Sequence, residues 1–481
     1  MCPTSATKQL IGERRTPLAE IDEIGPNEFD YYLLRNEPCV LRGALPPDAL
    51  PSRGGAEAAI LDAYGPSTLV CGKELGNALL LIKGDAAEYL RDWHYARDAI
   101  SLPSPGERRP LLREIPAVLA SDHLNLFCDA LAAATEGPVD DFRFAYVGRP
   151  GSRSLLHHDV LASHSWSINL SGQKLWLLLS PDDCALAQFY DAWGALKVSS
   201  LLADEDVDAL VQRSSSGPPL QPADIAGLRL SAAALALLPP GARPLTYLQL
   251  PGDAVFVPSG WHHEVVNLGH EPIVLSVNAN WFSGPALPRV LAFLERELAA
   301  IRERVAEPGP SGAYDAEFEA HCQKLMRLNS GLSLVDFARL LLFKADHCTA
   351  FAAEPDAGSA ASLSPHEAPL RKPPDALLHA DLAALAAALA RVATDAHIKR
   401  LRPEDSALRE CARGCGATEE LEAHARARAR IRELHARHRV PALRTAFTSK
   451  DLVAASVRCA EAASSLRGPG GHLAASQTKS N

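Results

Sequence analysis

The pattern of apolar and polar positions changes character near residue 285. Upstream, short runs rich in β-branched and aromatic residues alternate with Gly, Pro, Asn and Asp, as in "EPCVLRG", "DFRFAYVG", "KLWLLLSP", "PLTYLQLPGD" and "AVFVPSGWHHEVVNL". These predict strands joined by turns. Downstream, Leu287, Val290, Leu291, Leu294, Leu298, Ile301 and Val305 recur at steps of three and four, which puts them on one face of a helix. Two more helices are predicted in "AEFEAHCQKLMRLNSG" and "SLVDFARLLLFKA", the second opened by Ser333 with Asp336 three residues later, the pattern of an N-terminal cap. Beyond a Pro- and Ala-rich linker at 351–376, Leu378, Leu382, Leu385, Leu389 and Val392 form a narrow apolar seam. It is expected to pack within the chain rather than pair with another helix. Residues 181–244 are too long for a hairpin loop and read as an insertion with some helix. The expected division is a β-rich domain at 1–285, a helical extension at 286–350, the linker, a helical C-terminal part at 377–465 and a loose tail at 466–481.

Composition narrows the class. Of 481 residues, 47% are hydrophobic and 22% charged, enough for a sizeable buried core. A formal net charge of −10 carries no global footprint for a polyanion, so direct nucleic-acid binding is not expected. The basic run "HARARARIRELHARHR", 424–439, could meet RNA or a phosphorylated partner, but a solvated helix face is the expectation. The N-terminal stretch lacks the apolar core of a secretory signal, and no run reaches the roughly 18 apolar residues of a membrane span, so a soluble cytoplasmic protein is expected, with the nucleus as the alternative. Ten scattered cysteines are expected to be reduced. Cys411 and Cys415 have no second pair at zinc-ligand spacing, and no zinc site is expected there.

Candidate chemistry lies in "SLLHHDVLASHSWSINLSGQKLWLLLSP", 154–181. In an extended strand His157 and Asp159 share a face and His158 points the other way. An imidazole beside a carboxylate suits a first-row divalent metal, and one more imidazole would complete a facial triad. Alone, His-x-Asp is a common chance pattern. After the "LSGQK" turn, Lys174, Trp176 and Leu178 share one face of the next strand and Gln173, Leu175 and Leu177 the other. Lys174 then either points inward, where a buried ammonium needs an anion, or lies outside in solvent. A second pair of adjacent histidines, His262 and His263, follows a Pro-Ser-Gly kink in "PGDAVFVPSGWHHEVVNL", far along the chain, as a late strand closing a barrel beside an early one would be.

Together "SLLHHD", "SWSINLSGQKLWLLLSP", "PGDAVFVPSGWHHEVVNL" and "LSVNANW" resemble the JmjC family of Fe(II)- and 2-oxoglutarate-dependent oxygenases. "YLRDWH", "DDFRFAYVGRPGS" and "HCQKLMRLNSGLSLVDF" resemble the members that hydroxylate a lysine of peptide-chain release factor. The resemblance implies an α+β fold, a double-stranded β-helix (jelly roll, cupin-like) with flanking helices and a helical C-terminal extension. It implies iron held by His157, Asp159 and His263, the last chosen over His262 because it lies five positions after Pro258. It also implies that Lys174 pairs with 2-oxoglutarate, with O2 as the other cosubstrate. Tyr89, Ser154, Asn278 and Ser167 are the further cosubstrate contacts it suggests. Ser154 requires a local bend to reach the face of His157, and Ser167 stands where some relatives carry asparagine. The implied function is a protein lysyl hydroxylase with release factor as protein substrate. A JmjC histone lysine demethylase and a noncatalytic JmjC-fold binding protein are the alternatives. The first lacks support in zinc-finger spacing, and the second is disfavoured by the complete ligand set. His158, His164 and His262 are given no role, and Trp166, Trp261 and Trp281 are expected in the core.

Overall fold

The computed structural model describes residues 18–51, 55–64, 89–101, 111–112, 114–119, 122–135, 141–186, 189–190, 196–305, 316–353, 362–363, 366, 370, 372–401, 418–444 and 446–466. Most of the expected linker, the tail from 467 and the Cys411/Cys415 pair lie outside them.

Strands in chain order are β1 (Ala19–Glu20), β2 (Glu23–Ile24), β3 (Cys39–Leu41), β4 (Tyr89–Trp93), β5 (Ile115–Pro116), β6 (Arg143–Gly148), β7 (Arg153–His158), β8 (His164–Ser171), β9 (Gln173–Leu179), β10 (Leu245–Gln249), β11 (Ala254–Val257), β12 (His262–Leu268), β13 (Val274–Trp281) and β14 (Ser362–Leu363). One sheet runs β1-β10-β9-β12-β7 and the other β2-β3-β11-β8-β13-β6-β4, while β5 and β14 pair separately. Apart from the parallel edge pairs β1–β10 and β2–β3, all neighbours in the two large sheets are antiparallel. From β7 onward the chain passes back and forth between the sheets, which makes the core a jelly roll. Trp176, Leu178, Tyr247 and Val265 of the first sheet meet Val40, Val255 and Val257 of the second in the interior.

Both sheets are covered outside as well. The insertion contributes helices at Asp204–Ser216, Pro222–Ile225 and Ala232–Leu237. Its Val207, Leu210 and Leu220 pack on Leu175, Leu177, Val266 and Leu268, the outward residues of β9 and β12. Phe29, Ile60, Tyr64 and Trp93 cover Ile168, Leu275 and Val277 of the other sheet in the same way. Strands buried on both faces read as nearly continuous apolar runs, which is why alternation alone leaves the direction of Lys174 open.

The helical part forms one further core. In the Leu287–Val305 helix the expected face is buried from Leu287 to Ile301, and Val305 is only partly covered. Ser333 caps the Leu334–Ala352 helix, its hydroxyl accepting from Asp336 N at 3.1 Å while Ser333 N donates to Asp336 Oδ2 at 2.9 Å. Leu378, Leu382, Leu385, Leu389 and Val392 are all buried in the Asp375–Val392 helix, which packs on the Leu334–Ala352 and Ser449–Leu466 helices. The basic run departs from its expected solvated state. Ala427 and Ile431 are buried, Arg430 donates to the Ile100 carbonyl and Arg432 Nε to the Ala133 carbonyl at 2.7 Å. Those carbonyls end the Tyr95–Ser101 and His123–Ala134 helices, where a cation is stabilised by the unsatisfied C-terminal C=O groups. Among the described residues no helix is long and apolar enough to cross a membrane, and the described cysteines Cys39, Cys128, Cys184, Cys322, Cys348 and Cys459 are free and buried.

A buried ion network ties β6 to these helices. Arg143 reaches Asp129 Oδ2 at 2.8 Å and Asp141 Oδ2 at 3.2 Å, all three nearly inaccessible. Burial pushes both carboxyls up, but Arg143 and one histidine each, His366 and His94, leave them below their ordinary value. Removing one partner of a buried pair strands the other charges, so Arg143→Ala should lower unfolding stability by about 3–5 kcal/mol in urea titrations at pH 7. Because the folded carboxyls titrate low, the network's contribution is complete above the ordinary carboxyl value of about 4 and is lost as pH falls through the depressed folded values. The gap between wild type and variant should narrow in that acid range.

Candidate metal centre

β7 and β12 pair so that His157 lies opposite His263 and His158 opposite His262. The first pair points into the barrel, with ring centroids 4.3 Å apart. Asp159 follows β7 directly, and one ligand-type atom from each of His157, Asp159 and His263 falls within 4.8 Å of the others. The second pair turns outward: His158 packs near Phe293, and the His262 ring meets the Tyr190 hydroxyl. Trp261 donates from its indole to the Asn36 carbonyl at 2.9 Å, and Trp166 and Trp281 are core residues.

The three groups are prepared for a cation. His157 Nδ1 lies 2.7 Å from the Leu155 carbonyl oxygen, which can only accept, so Nδ1 carries the proton and Nε2 keeps its lone pair. Burial and then the neighbouring His157 push the His263 imidazole down to about 4, which keeps it neutral at pH 7. Burial raises the Asp159 carboxyl, but His263, His157 and hydrogen bonds from Ser165 and Asn280 pull it below its ordinary value, so it is ionised. Asp159 Oδ2 is buried with no hydrogen-bond partner among the described residues. Buried polar atoms are rarely left so, and a carboxylate oxygen beside two imidazoles fits a first-row divalent metal. Trp176 stacks on His263 at 5.6 Å and walls this side of the pocket.

Lys174 points inward. The residue is 2% exposed, and its ammonium donates to Ser276 Oγ at 2.7 Å and lies 5.8 Å from the Tyr146 ring centre. Among the described residues no carboxylate pairs with it, and burial pushes it down to about 7. A cation held this way fits an anionic ligand, which would supply the missing counter-charge.

Ser154 reaches the same pocket through a bulge. Residues 263 and 265 of β12 face 157 and 154 of β7, so Leu155 and Leu156 together oppose Glu264, and the extra residue rotates Ser154 onto the face of His157. Its Oγ is 3.3 Å from the Tyr89 hydroxyl. Tyr89 in turn lies opposite Gly148, where a Cβ would come within 2.6 Å of the tyrosine ring, so only glycine leaves it room. Tyr89, Ser154, His157, Asp159, Lys174, His263 and Asn278 thus line one pocket. Ser167 does not join them. Its hydroxyl donates to Asn278 Oδ1 at 3.0 Å from behind, so the expected ligand contact at Ser167 is replaced by a contact that orients Asn278.

The sequence reading missed the pocket residues Tyr146, Ser165 and Asn280, and also Ser276, which accepts from Lys174 behind the pocket lining. Period two supplies a signal for two of them, since Ser276, Asn278 and Asn280 are polar at alternate positions of an otherwise apolar strand. A second cluster, His123, Cys348 and Asp381, also has ligand-type atoms within 4.8 Å of one another. There the Asp381 carboxylate is already engaged by His123 Nε2 at 3.0 Å and Gly284 N at 2.6 Å, with Lys344 close by, so it is paired within the protein.

Two interlocking sheets with side chains that could hold a metal at one mouth define the cupin class, and residues 93–286 match the family described as a cupin-like domain. The domain resembles the JmjC type. A human protein named 2-oxoglutarate and iron-dependent oxygenase JMJD4 is 35% identical over 254 residues, covering 53% of this chain and 50% of that protein. Its Drosophila melanogaster homolog is 31% identical over 257 residues, 53% and 47% of the two chains. The Arabidopsis thaliana protein named arginine-specific demethylase JMJ20 is 28% identical over 261 residues, 52% and 47%. The chain spans about half the length of the curated relatives it matches.

The unpaired ammonium makes Lys174 a source of instability in the free protein. Its charged form is disfavoured in the fold and free in the unfolded chain, so the penalty is full below pH 7 and fades as pH rises toward the unfolded value of about 10.4. Lys174→Met should therefore raise stability by on the order of 3 kcal/mol at pH 7 without ligand. In urea unfolding the advantage should shrink between pH 7 and pH 10.

Proposed function

We propose that this chain is an Fe(II)- and 2-oxoglutarate-dependent protein hydroxylase that acts on a lysine of peptide-chain release factor. The observation that carries the oxygenase reading is one pocket holding both the His157, Asp159 and His263 set and an inward ammonium with no counter-ion among the described residues. Relatives named for 2-oxoglutarate and iron support the cofactors. The lysine of release factor rests on the flanking motifs "YLRDWH" and "HCQKLMRLNSGLSLVDF".

His157, Asp159 and His263 would hold the iron. Bound iron with 2-oxoglutarate and O2 supplies oxidation of a substrate C–H bond, with succinate and CO2 as coproducts. The protein positions and shields. Lys174 would make a charge-assisted contact with the distal carboxylate of the cosubstrate, and the hydroxyls of Ser154 and Tyr89 stand where they can add hydrogen bonds to it. Asn278, held by Ser167 and Ser276, offers its amide group to the same cavity. Trp176 and Val265 give the cavity an apolar wall beside His263.

Recombinant release factor incubated with this protein, Fe(II), 2-oxoglutarate and air should gain one oxygen on a lysine by mass spectrometry, and His157→Ala should abolish the gain. Succinate formation without that gain would sink the release-factor assignment while keeping the oxygenase. Loss of methyl groups from methylated arginine or lysine peptides would favour a demethylase, the activity in the name of the Arabidopsis relative. Lys174→Ala should raise the 2-oxoglutarate concentration needed for half-maximal turnover at least about tenfold, the scale of a lost charge-assisted contact. An unchanged requirement would remove Lys174 from the cosubstrate site.

A further inference from the structure

Behind the candidate ligands runs a line of buried hydrogen bonds that strand pairing does not require. Asp159 is followed by the turn Val160–Ala162, in which Leu161 (φ 60°) and Ala162 (φ 49°) both adopt left-handed backbone conformations. Side chains with a Cβ disfavour that region, so two in succession persist only where their surroundings impose them. Leu161 is fully buried in the helical core with Leu287, Val290 and Leu291. The Ala162 carbonyl accepts from Ser259 Oγ at 2.6 Å, and Ala162 N closes the turn onto the Asp159 carbonyl at 3.1 Å.

Ser259 belongs to the Pro-Ser-Gly kink four residues before His263. Its backbone N–H donates to His164 Nδ1 at 2.9 Å. That makes Nδ1 the acceptor, so Nε2 carries the proton and donates to Ser283 Oγ at 3.0 Å. The next residue, Gly284, donates its N–H to Asp381 of the Asp375–Val392 helix, and a Cβ at Gly284 would sit 2.6 Å from Asp381 Cα. Ser259, His164, Ser283 and Asp381 all have no exposed surface. A fully satisfied buried polar line selects one arrangement of the segments it joins, where apolar packing would tolerate several.

We propose that Ser259 and His164 are positioning residues for the metal centre: they fix the loop that follows Asp159 against the loop that precedes His263, and Asp381 extends this support to the C-terminal helices. The inference rests on reading His157, Asp159 and His263 as metal ligands. Neither residue touches the metal, and each acts through the backbone that carries a ligand. Outer-shell partners of this kind typically change metal affinity by about 10–100-fold.

The test is Co(II) titration of the metal-free full-length protein, followed by visible absorption and by competition with a chelator, with thermal melting of each variant recorded alongside. Ser259→Ala should weaken Co(II) binding roughly tenfold and shift the d–d bands while its melting temperature stays close to that of wild type. If that variant cannot be prepared folded, His164→Phe, which keeps the ring volume and loses both hydrogen bonds, is measured in its place. Wild-type affinity and an unchanged spectrum in the variant would overturn the positioning role. Absence of Co(II) binding in wild type would instead overturn the metal-centre reading beneath it.

Discussion

The register of β7 against β12 is the constraint on which the site depends. His157 meets His263 across these strands, and a slip of β7 by one residue would turn His157 to the outer face and bring His158 inward while His263 kept its place, which would break the pair. The register is held from outside the barrel. Glu264, opposite the bulge, is fully buried and accepts from Ser200 Oγ at 2.8 Å and from Leu201 N at 2.7 Å. Leu156, within the bulge, donates its N–H to the Ser199 carbonyl at 2.8 Å. All three partners belong to the insertion between β9 and β10. A segment that reads in sequence as an interruption of the barrel therefore clamps both strands of the ligand pair, and clamps them at the irregularity that brings Ser154 into the pocket.

How much of this was legible in the sequence follows from the range of each interaction. His157 and Asp159 sharing a face, the face of the Leu287–Val305 helix and the Ser333 cap are set within a few residues, and local spacing was enough to find them. The direction of Lys174 was not legible from alternation, because the insertion buries the outer face of β9 as deeply as the barrel buries the inner one. The bend at Ser154 could be required but not located, since a bulge is defined by the partner strand and that strand lies a hundred residues further on. Ser167 faces Asn278 because β8 pairs with β13 at that position, a fact of register that motif position does not carry. The basic helix misled for a similar reason. Its arginines answer helix termini that are distant in sequence, and composition alone cannot distinguish a docked cation from a solvated one.

The pocket is a set of polar costs accepted inside an apolar shell. An ammonium, a carboxylate and several amide and hydroxyl groups are withdrawn from water, and each is worth keeping only if it is paired. Some are paired within the protein: Ser167 and Ser276 satisfy Asn278, and Gln249 accepts from Trp176 at 2.7 Å. Among the described residues Asp159 Oδ2 and the charge of Lys174 have no such partner. The two unmet demands have opposite sign, a carboxylate beside imidazoles and an ammonium beside hydroxyls, and they lie in one cavity. A metal ion answers the first and an anion the second, so a ligand that chelates the metal at one end and carries a carboxylate at the other satisfies both at once. That pairing makes 2-oxoglutarate a closer fit than a metal alone or an anion alone.

The same reasoning bears on the helices that follow the barrel. Helices appended for an unrelated purpose would be expected to meet the barrel through a surface that the barrel could do without. Instead Leu161, two residues after Asp159, inserts its side chain into their core, and Gly284 gives up its Cβ so that Asp381 can approach the end of β13. The left-handed turn at Leu161 and Ala162 is disfavoured in an isolated loop, and burial of Leu161 among the helices offsets that preference. Asp159 is therefore held from two directions, by β7 on its N-terminal side and by the helical core on the other. The barrel and its helical extension therefore share a packed boundary at the site itself.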